Sequence, residues 1–213
     1  MRRLNVILVV LVLTVFAANA SADTLQFTGT ATNTTLTIHD NTLGTVTGYI
    51  DPYLGKLNGT ISLTMFCVDP DHEVNYNDTW TVYVTLAPSA NWTHTRLNNP
   101  TVYGEMAYLA TLMLATNDAT TRQEIQTVIW WLADNSLTAS VPNGVDPTTF
   151  NNQVAFYKTD AAAHPLTSGF EILSDVTGAK QEFLVLVPEP GTLILLGSGL
   201  AFVSRRRRKV RAQ

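Results

Sequence analysis

The chain has one cysteine in 213 residues, and Asp, Glu, Lys and Arg together make up only 14% of it. One cysteine excludes an internal disulfide. There is no Gly-x-Ser-x-Gly elbow, no His-Glu-x-x-His and no phosphate-binding loop, so the usual sequence bases for a serine hydrolase, a zinc hydrolase or a nucleotide-dependent enzyme are missing. His39, His72, His94 and His164 are scattered singly, without the close spacing of metal ligands. Asp69, Asp71 and Glu73 lack the glycine and distal glutamate of a calcium loop and read as a solvated acidic turn. The expectation is a protein that is not an enzyme, with no cofactor and no metal.

Basic residues are also scarce away from the ends. Arg2, Arg3, Arg205 to Arg208, Lys209 and Arg211 account for eight of the thirteen. Between residues 23 and 190, Lys56, Arg96, Arg122, Lys158 and Lys180 face seventeen acidic residues, a net charge of −12. Such an acidic surface argues against nucleic acid as a partner. Four Asn-x-Ser/Thr triplets, at Asn33, Asn58, Asn77 and Asn91, follow from a Thr- and Asn-rich composition.

What is present sits first at the two ends. Arg2 and Arg3 precede an apolar run from Val6 to Phe16, then Ala18-Asn19-Ala20 and Ala20-Ser21-Ala22. That order is a secretory signal peptide over 1–22, cleaved before Ser21 or Asp23 by signal peptidase after export by the secretion machinery. At the other end come Pro188, Glu189 and Pro190, an apolar stretch to Val203, and the basic cluster Arg205, Arg206, Arg207, Arg208 and Lys209. The apolar stretch of about 14 residues spans about 21 Å as a helix, short of the ~30 Å hydrocarbon core. It predicts a weak, transient hold on the inner membrane, with the arginines cytoplasmic. The two prolines keep the Pro-Glu-Pro peptide extended and open to a protease. Residues 188–213 resemble the PEP-CTERM sorting signal of Gram-negative bacteria. The resemblance implies processing by an exosortase-type membrane protease, then a cell-surface or extracellular destination.

The remaining stretch, 23–187, is about 165 residues, enough for one cored domain. Thr24 to Ala31, Leu36 to His39, Leu43 to Asp51, Leu57 to Val68 and Thr79 to Leu86 are predicted strands. Tyr103 to Ala115 is a predicted helix whose aromatics and methionines read as core. Thr120 to Asp134 is a second, capped by Asp118 or Thr120, with Thr121 and Glu124 fitting a capping box. Ser136 to Thr148 reads as loop, and Phe150 to Ala163 as a weaker third helix. Gly169 to Leu173 and Gln181 to Val187 read as closing strands. The order predicts an α+β fold: an antiparallel, β-rich sandwich or barrel with an inserted two- to three-helix segment.

Cys67 falls at the end of a predicted strand, just before Asp69-Pro70-Asp71. A lone cysteine in an exported chain is a buried small hydrophobe, half of an intermolecular disulfide, or a partner in a covalent bond to something other than sulfur. In the second helix, Ile125, Val128, Ile129 and Leu132 mark the buried stripe. Gln126 lies three and four residues before Ile129 and Trp130, so it borders that stripe.

The pair Phe66-Cys67 on a strand, followed by Gln126-Thr127-Val128-Ile129-Trp130 on a helix, resembles the thioester domains of bacterial surface adhesins. The resemblance covers roughly Leu57 to Val187. It implies that Cys67 and Gln126 condense, with loss of ammonia, into an internal thioester that couples the protein covalently to a polysaccharide or surface-protein partner. It makes Phe66, Ile129 and Trp130 the motif's neighbours. Phe66, Trp130 and Trp131 are the candidate shield against water. His72, five residues from Cys67, reads as a loop histidine or a proton shuttle. The other reading open to this sequence is a non-reactive matrix or biofilm protein in which Cys67 is only buried.

Overall fold

The computed structural model describes residues 23–41, 44–50 and 52–187. The expected signal peptide, 1–22, and the tail from Pro188 lie outside the described residues.

Short Thr- and Val-rich segments joined by tight turns give nine strands among these residues: β1 (Asp23–Thr30), β2 (Thr35–Asp40), β3 (Gly44–Tyr49), β4 (Tyr53–Leu57), β5 (Ile61–Cys67), β6 (Thr79–Leu86), β7 (Thr138–Ala139), β8 (Phe170–Asp175) and β9 (Phe183–Leu186). Six close into an antiparallel barrel in the order β1-β4-β5-β9-β8-β6, and β3-β2-β7 make a separate small sheet. Inserted between β6 and β8 are α1 (Pro100–Ala115), α2 (Ala119–Ala133) and α3 (Pro147–Ala163). The fold is α+β, and of the two expected arrangements the barrel is the one formed.

Several expected boundaries move. The first helix starts at Pro100 rather than Tyr103, capped by Asn99, which accepts from Thr101 N at 3.2 Å, and the expected loop 136–148 contains β7 and the start of α3. Leu57 to Val68 is not one strand. Asn58 (φ 52°) and Gly59 (φ 70°) turn the chain between β4 and β5, and both residue types enter that left-handed region cheaply. Asn58 also holds the turn in place, because its Oδ1 accepts from Thr24 N at 2.9 Å and its Nδ2 donates to Asp23 Oδ1 at 2.7 Å. The third helix starts at Pro147 rather than Phe150. Asp146 caps it by accepting from Thr149 N at 2.8 Å, and Pro147 costs nothing at a position whose N–H has no helical partner.

The second helix is capped by Asp118, whose Oδ1 accepts from Thr121 N at 2.7 Å. Thr121 therefore lies inside the helix, so it does not open a capping box with Glu124. Gln123 Nε2 donates to Thr35 O at 2.8 Å and ties α2 to β2.

Aromatic rings fill the barrel. Phe27 and Tyr53 are 5.4 Å apart by ring centroid, Tyr53 and Phe183 5.3 Å, and Trp80 and Phe183 6.3 Å. A six-stranded barrel leaves room for side chains only, and tilted rings are a favoured way to use it. Met65, Phe66 and Cys67 are buried in succession. The apolar–polar alternation ends at that point because both faces of the strand's end are covered.

α1 packs so closely that Gly104 touches the chain after α3. Its O accepts from Leu166 N at 3.0 Å, and a Cβ on Gly104 would stand 2.3 Å from Leu166 O. Gly104→Ala should therefore destabilise the fold by about 2–3 kcal/mol, the usual scale of an overpacked core, read as a lower urea midpoint at unchanged slope.

Candidate functional site

Cys67 reaches its position because β5 is an interior strand. Met65, Phe66 and Cys67 pair with Val185, Leu184 and Phe183 of β9, and β4 flanks the other side. Gln126 comes from the first half of α2. The two meet: Gln126 Nε2 donates to Cys67 O at 2.9 Å. Cys67 and Gln126 are each 1% exposed, so water is excluded from both. Phe66, Ile129 and Trp130 are buried with them. A glutamine amide in such a place costs free energy unless its groups are paired, and the bond to Cys67 O pairs its nitrogen.

Trp131 does not share in the enclosure. Consecutive helical residues point about 100° apart, and the Trp131 ring lies under Lys158, whose Nζ is 3.8 Å from its centroid.

The thiol is that of an enclosed side chain. Its Sγ donates to Asp69 O at 3.2 Å. Burial, helped by the Asp69 charge, pushes its pKa up to about 12, partly opposed by the Asp69 backbone and the Trp130 indole. At neutral pH it is protonated and closed to reagents in solution. The Trp130 N–H is buried beside the Cys67 sulfur, without a hydrogen bond of normal geometry.

Asp69 departs most from its sequence reading. It is buried and paired, not part of a solvated turn. Arg96 Nε lies 2.6 Å from its Oδ2. His72 Nδ1, Asp71 N and Glu182 N approach its carboxylate at 3.1, 3.1 and 3.2 Å. A second buried acid, Glu182, adjoins it. Its Oε1 accepts from Ser174 Oγ at 2.6 Å and Arg96 N at 3.0 Å, and its Oε2 from the Tyr103 hydroxyl. Arg96 also donates to Gly178 O and Lys180 O at 3.1 and 2.6 Å. His72 is half-buried against Asp69, and that contact, rather than one to Cys67, defines its place. Nothing in the spacing of Asp69, Arg96 and Glu182 marks them as neighbours, since they lie on three separate segments.

The same face opens a cleft of about 620 Å³, lined by Tyr49, Tyr53, His72, Tyr76, Trp130 and Gln181 among others. Gln181 was not anticipated from the sequence. Among the described residues, no group of three or more His, Cys, Asp or Glu side chains is arranged to hold a metal ion.

Residues 186–209 match the model of the PEP-CTERM protein-sorting motif. The chain carries that motif. It implies export, processing by an exosortase-type protease together with the secretion machinery, and a cell-surface location. Its apolar segment lies outside the described residues, and among the described ones no helix is long and apolar enough to cross a membrane. No curated protein sequence matches the chain. Two solved structures are similar in fold. One is the N-terminal domain of the Streptococcus pyogenes pilus tip adhesin Cpa, at 10% identity and TM-score 0.40, over 76% of this chain and 99% of that one. The other is the N-terminal thioester domain of the fibronectin-binding protein SfbI from the same organism, at 11% identity and TM-score 0.39, over 76% and 98%. Likeness this remote says nothing of chemistry.

Two outcomes follow from the acid junction. Arg96→Met strands the Asp69 charge and should cost about 3 kcal/mol, the low end for breaking a buried pair, since Arg96 is partly exposed; urea unfolding measures it. Burial also raises the Glu182 pKa above 4.5. A carboxyl raised by folding contributes most when protonated in both states, and its contribution is lost as pH climbs from 4.5 through the raised value. The melting temperature should fall over that window, and less steeply in Glu182→Gln.

Proposed function

We propose that this exported surface protein carries an internal thioester between Cys67 and Gln126 and uses it to attach covalently to a polysaccharide or protein partner. The observation that carries the reading is the contact between an enclosed glutamine amide and the only cysteine of the chain, 59 residues apart in sequence. The sulfur adds to Gln126 Cδ, the C–N bond breaks, and Nε2 leaves as ammonia with the thiol proton. The product is an acyl group on a thiol leaving group. Enclosure by Phe66, Ile129 and Trp130 keeps water from it. An arriving amine or hydroxyl then takes the acyl group, the C–S bond breaks, and its proton returns to the sulfur. The product is an amide or ester through Gln126. The sorting tail delivers the domain to the surface after a transient stay in the inner membrane.

A second reading has its own support. The hydrogen bond from Cys67 Sγ to Asp69 O and the raised pKa both describe a satisfied, inert thiol. In that reading the protein is a passive matrix component of the same fold.

Intact mass of the full chain, beside Cys67→Ala and Gln126→Ala, separates the two. The thioester reading expects the parent to lack one ammonia relative to its sequence and both variants to have full mass. It also expects a thiol that titrates in denaturant only after methylamine treatment. Full mass in the parent, with a thiol that titrates on denaturation alone, leaves the passive reading.

A further inference from the structure

The cleft beside Cys67 has the composition of a ligand site rather than of a gap between sheets. Its volume of about 620 Å³ lies in the range of small-molecule sites. Its walls come from β1, β4, the small sheet, the loop after Asp69, α2 and the segment before β9. Tyr76 and Tyr49 stand at it 69% and 45% exposed. Such large rings left in water beside a concave polar surface mark a binding face.

One lining residue carries a buried polar atom with no partner. Gln181 is 8% exposed and its Oε1 accepts nothing. An unmet acceptor is costly inside a protein. Among the lining residues there is no Lys or Arg. The only carboxylate is that of Glu73, which is exposed and so screened by water. The one basic lining residue, His72, is already held by the Asp69 carboxylate, so an anionic ligand finds no free counter-charge. A lysine ammonium can donate to Gln181, but its charge meets only the exposed Glu73 carboxylate. A sugar hydroxyl donates to Gln181 with no charge to bury, and the ring's apolar face can lie on a tyrosine ring.

We infer that this cleft is a binding site for a neutral sugar chain. Rings sit against Tyr76 and Tyr49, and a hydroxyl donates to Gln181 Oε1. Taken with the thioester reading, on which this last step rests, the site names the acceptor. A sugar hydroxyl adds to Gln126 Cδ, the C–S bond breaks, the hydroxyl proton passes to Cys67 Sγ, and an ester and a thiol result. Trp130 lies at the boundary. The far edge of its indole lines the cleft, where Cη2 would stand 3.2 Å from a Cβ placed on Gly48, and its N–H is turned to the Cys67 sulfur.

The test uses the full-length Cys67→Ala chain, which forms no thioester, so sugar binding is read independently of that bond. Cellobiose, maltose and N,N′-diacetylchitobiose are titrated, with tryptophan fluorescence and saturation-transfer NMR as readouts. The expected result is saturable binding of at least one, weakened tenfold or more by adding Tyr76→Ala or Gln181→Leu. Tyr76 is so exposed that its removal leaves the melting temperature unchanged. Binding of none of the three sugars overturns the inference. So does binding indifferent to both substitutions, or saturable binding of Nα-acetyl-lysine methylamide at the cleft in place of a sugar. If the parent proves to have full mass while sugars bind the Cys67→Ala chain, the thioester fails and the sugar site stands.

Discussion

A buried carboxylate organises this fold. Asp69 sits two residues past the end of β5 and collects an arginine, a histidine and two backbone amides. Burying a charge is tolerable only when it is paired and hydrogen-bonded, and the partners that satisfy Asp69 come from the segment before α1 and from the start of β9. The end of β5 is thereby fixed in three directions. Cys67 inherits that rigidity, because the Asp69 carbonyl accepts from its thiol and β9 pairs with it on the ladder. Glu182 extends the junction through Tyr103 into α1 and through Ser174 into β8. A fully satisfied polar network of this kind specifies one arrangement of the elements around it.

The helices complete what the junction begins. α2 is held at its start by Asp118 and to the small sheet by Gln123. These contacts set the rotation of the helix, and rotation decides which side chains face Cys67. Gln126, Ile129 and Trp130 share the inward face, whereas Trp131 is turned to Lys158. The same rotation places Trp130 between the thiol and the cleft, so the Cys67–Gln126 contact and the cleft share one wall.

Much of this was legible in the sequence where local rules act. The period of α2, the placement of Gln126 beside its apolar stripe, and proline ending the strand after Cys67 all follow from nearest-neighbour physics, and the meeting of Cys67 with Gln126 was suggested by a short motif. The Asn58-Gly59 turn was readable too, but the apolar run after it masked the break. Asp69 was not legible as buried. Its neighbours Asp71 and Glu73 look solvated, and its cation lies 27 positions downstream, with no periodicity linking them. Gln181 was invisible for a similar reason, since its role depends on a cleft assembled from strands, loop and helix distant in the chain.

β9 has one more consequence, and it is mechanical. It is the last strand of the described residues, it ends at Leu186, and the sorting motif begins there. Yet it is an interior strand, zipped to β5 on one side and β8 on the other. Tension arriving from the tail is therefore spread in shear over two ladders at once, rather than peeling an edge strand rung by rung. One of those ladders carries Cys67. A pull on the chain at Leu186 would therefore load the barrel through the same strand pair that positions Cys67.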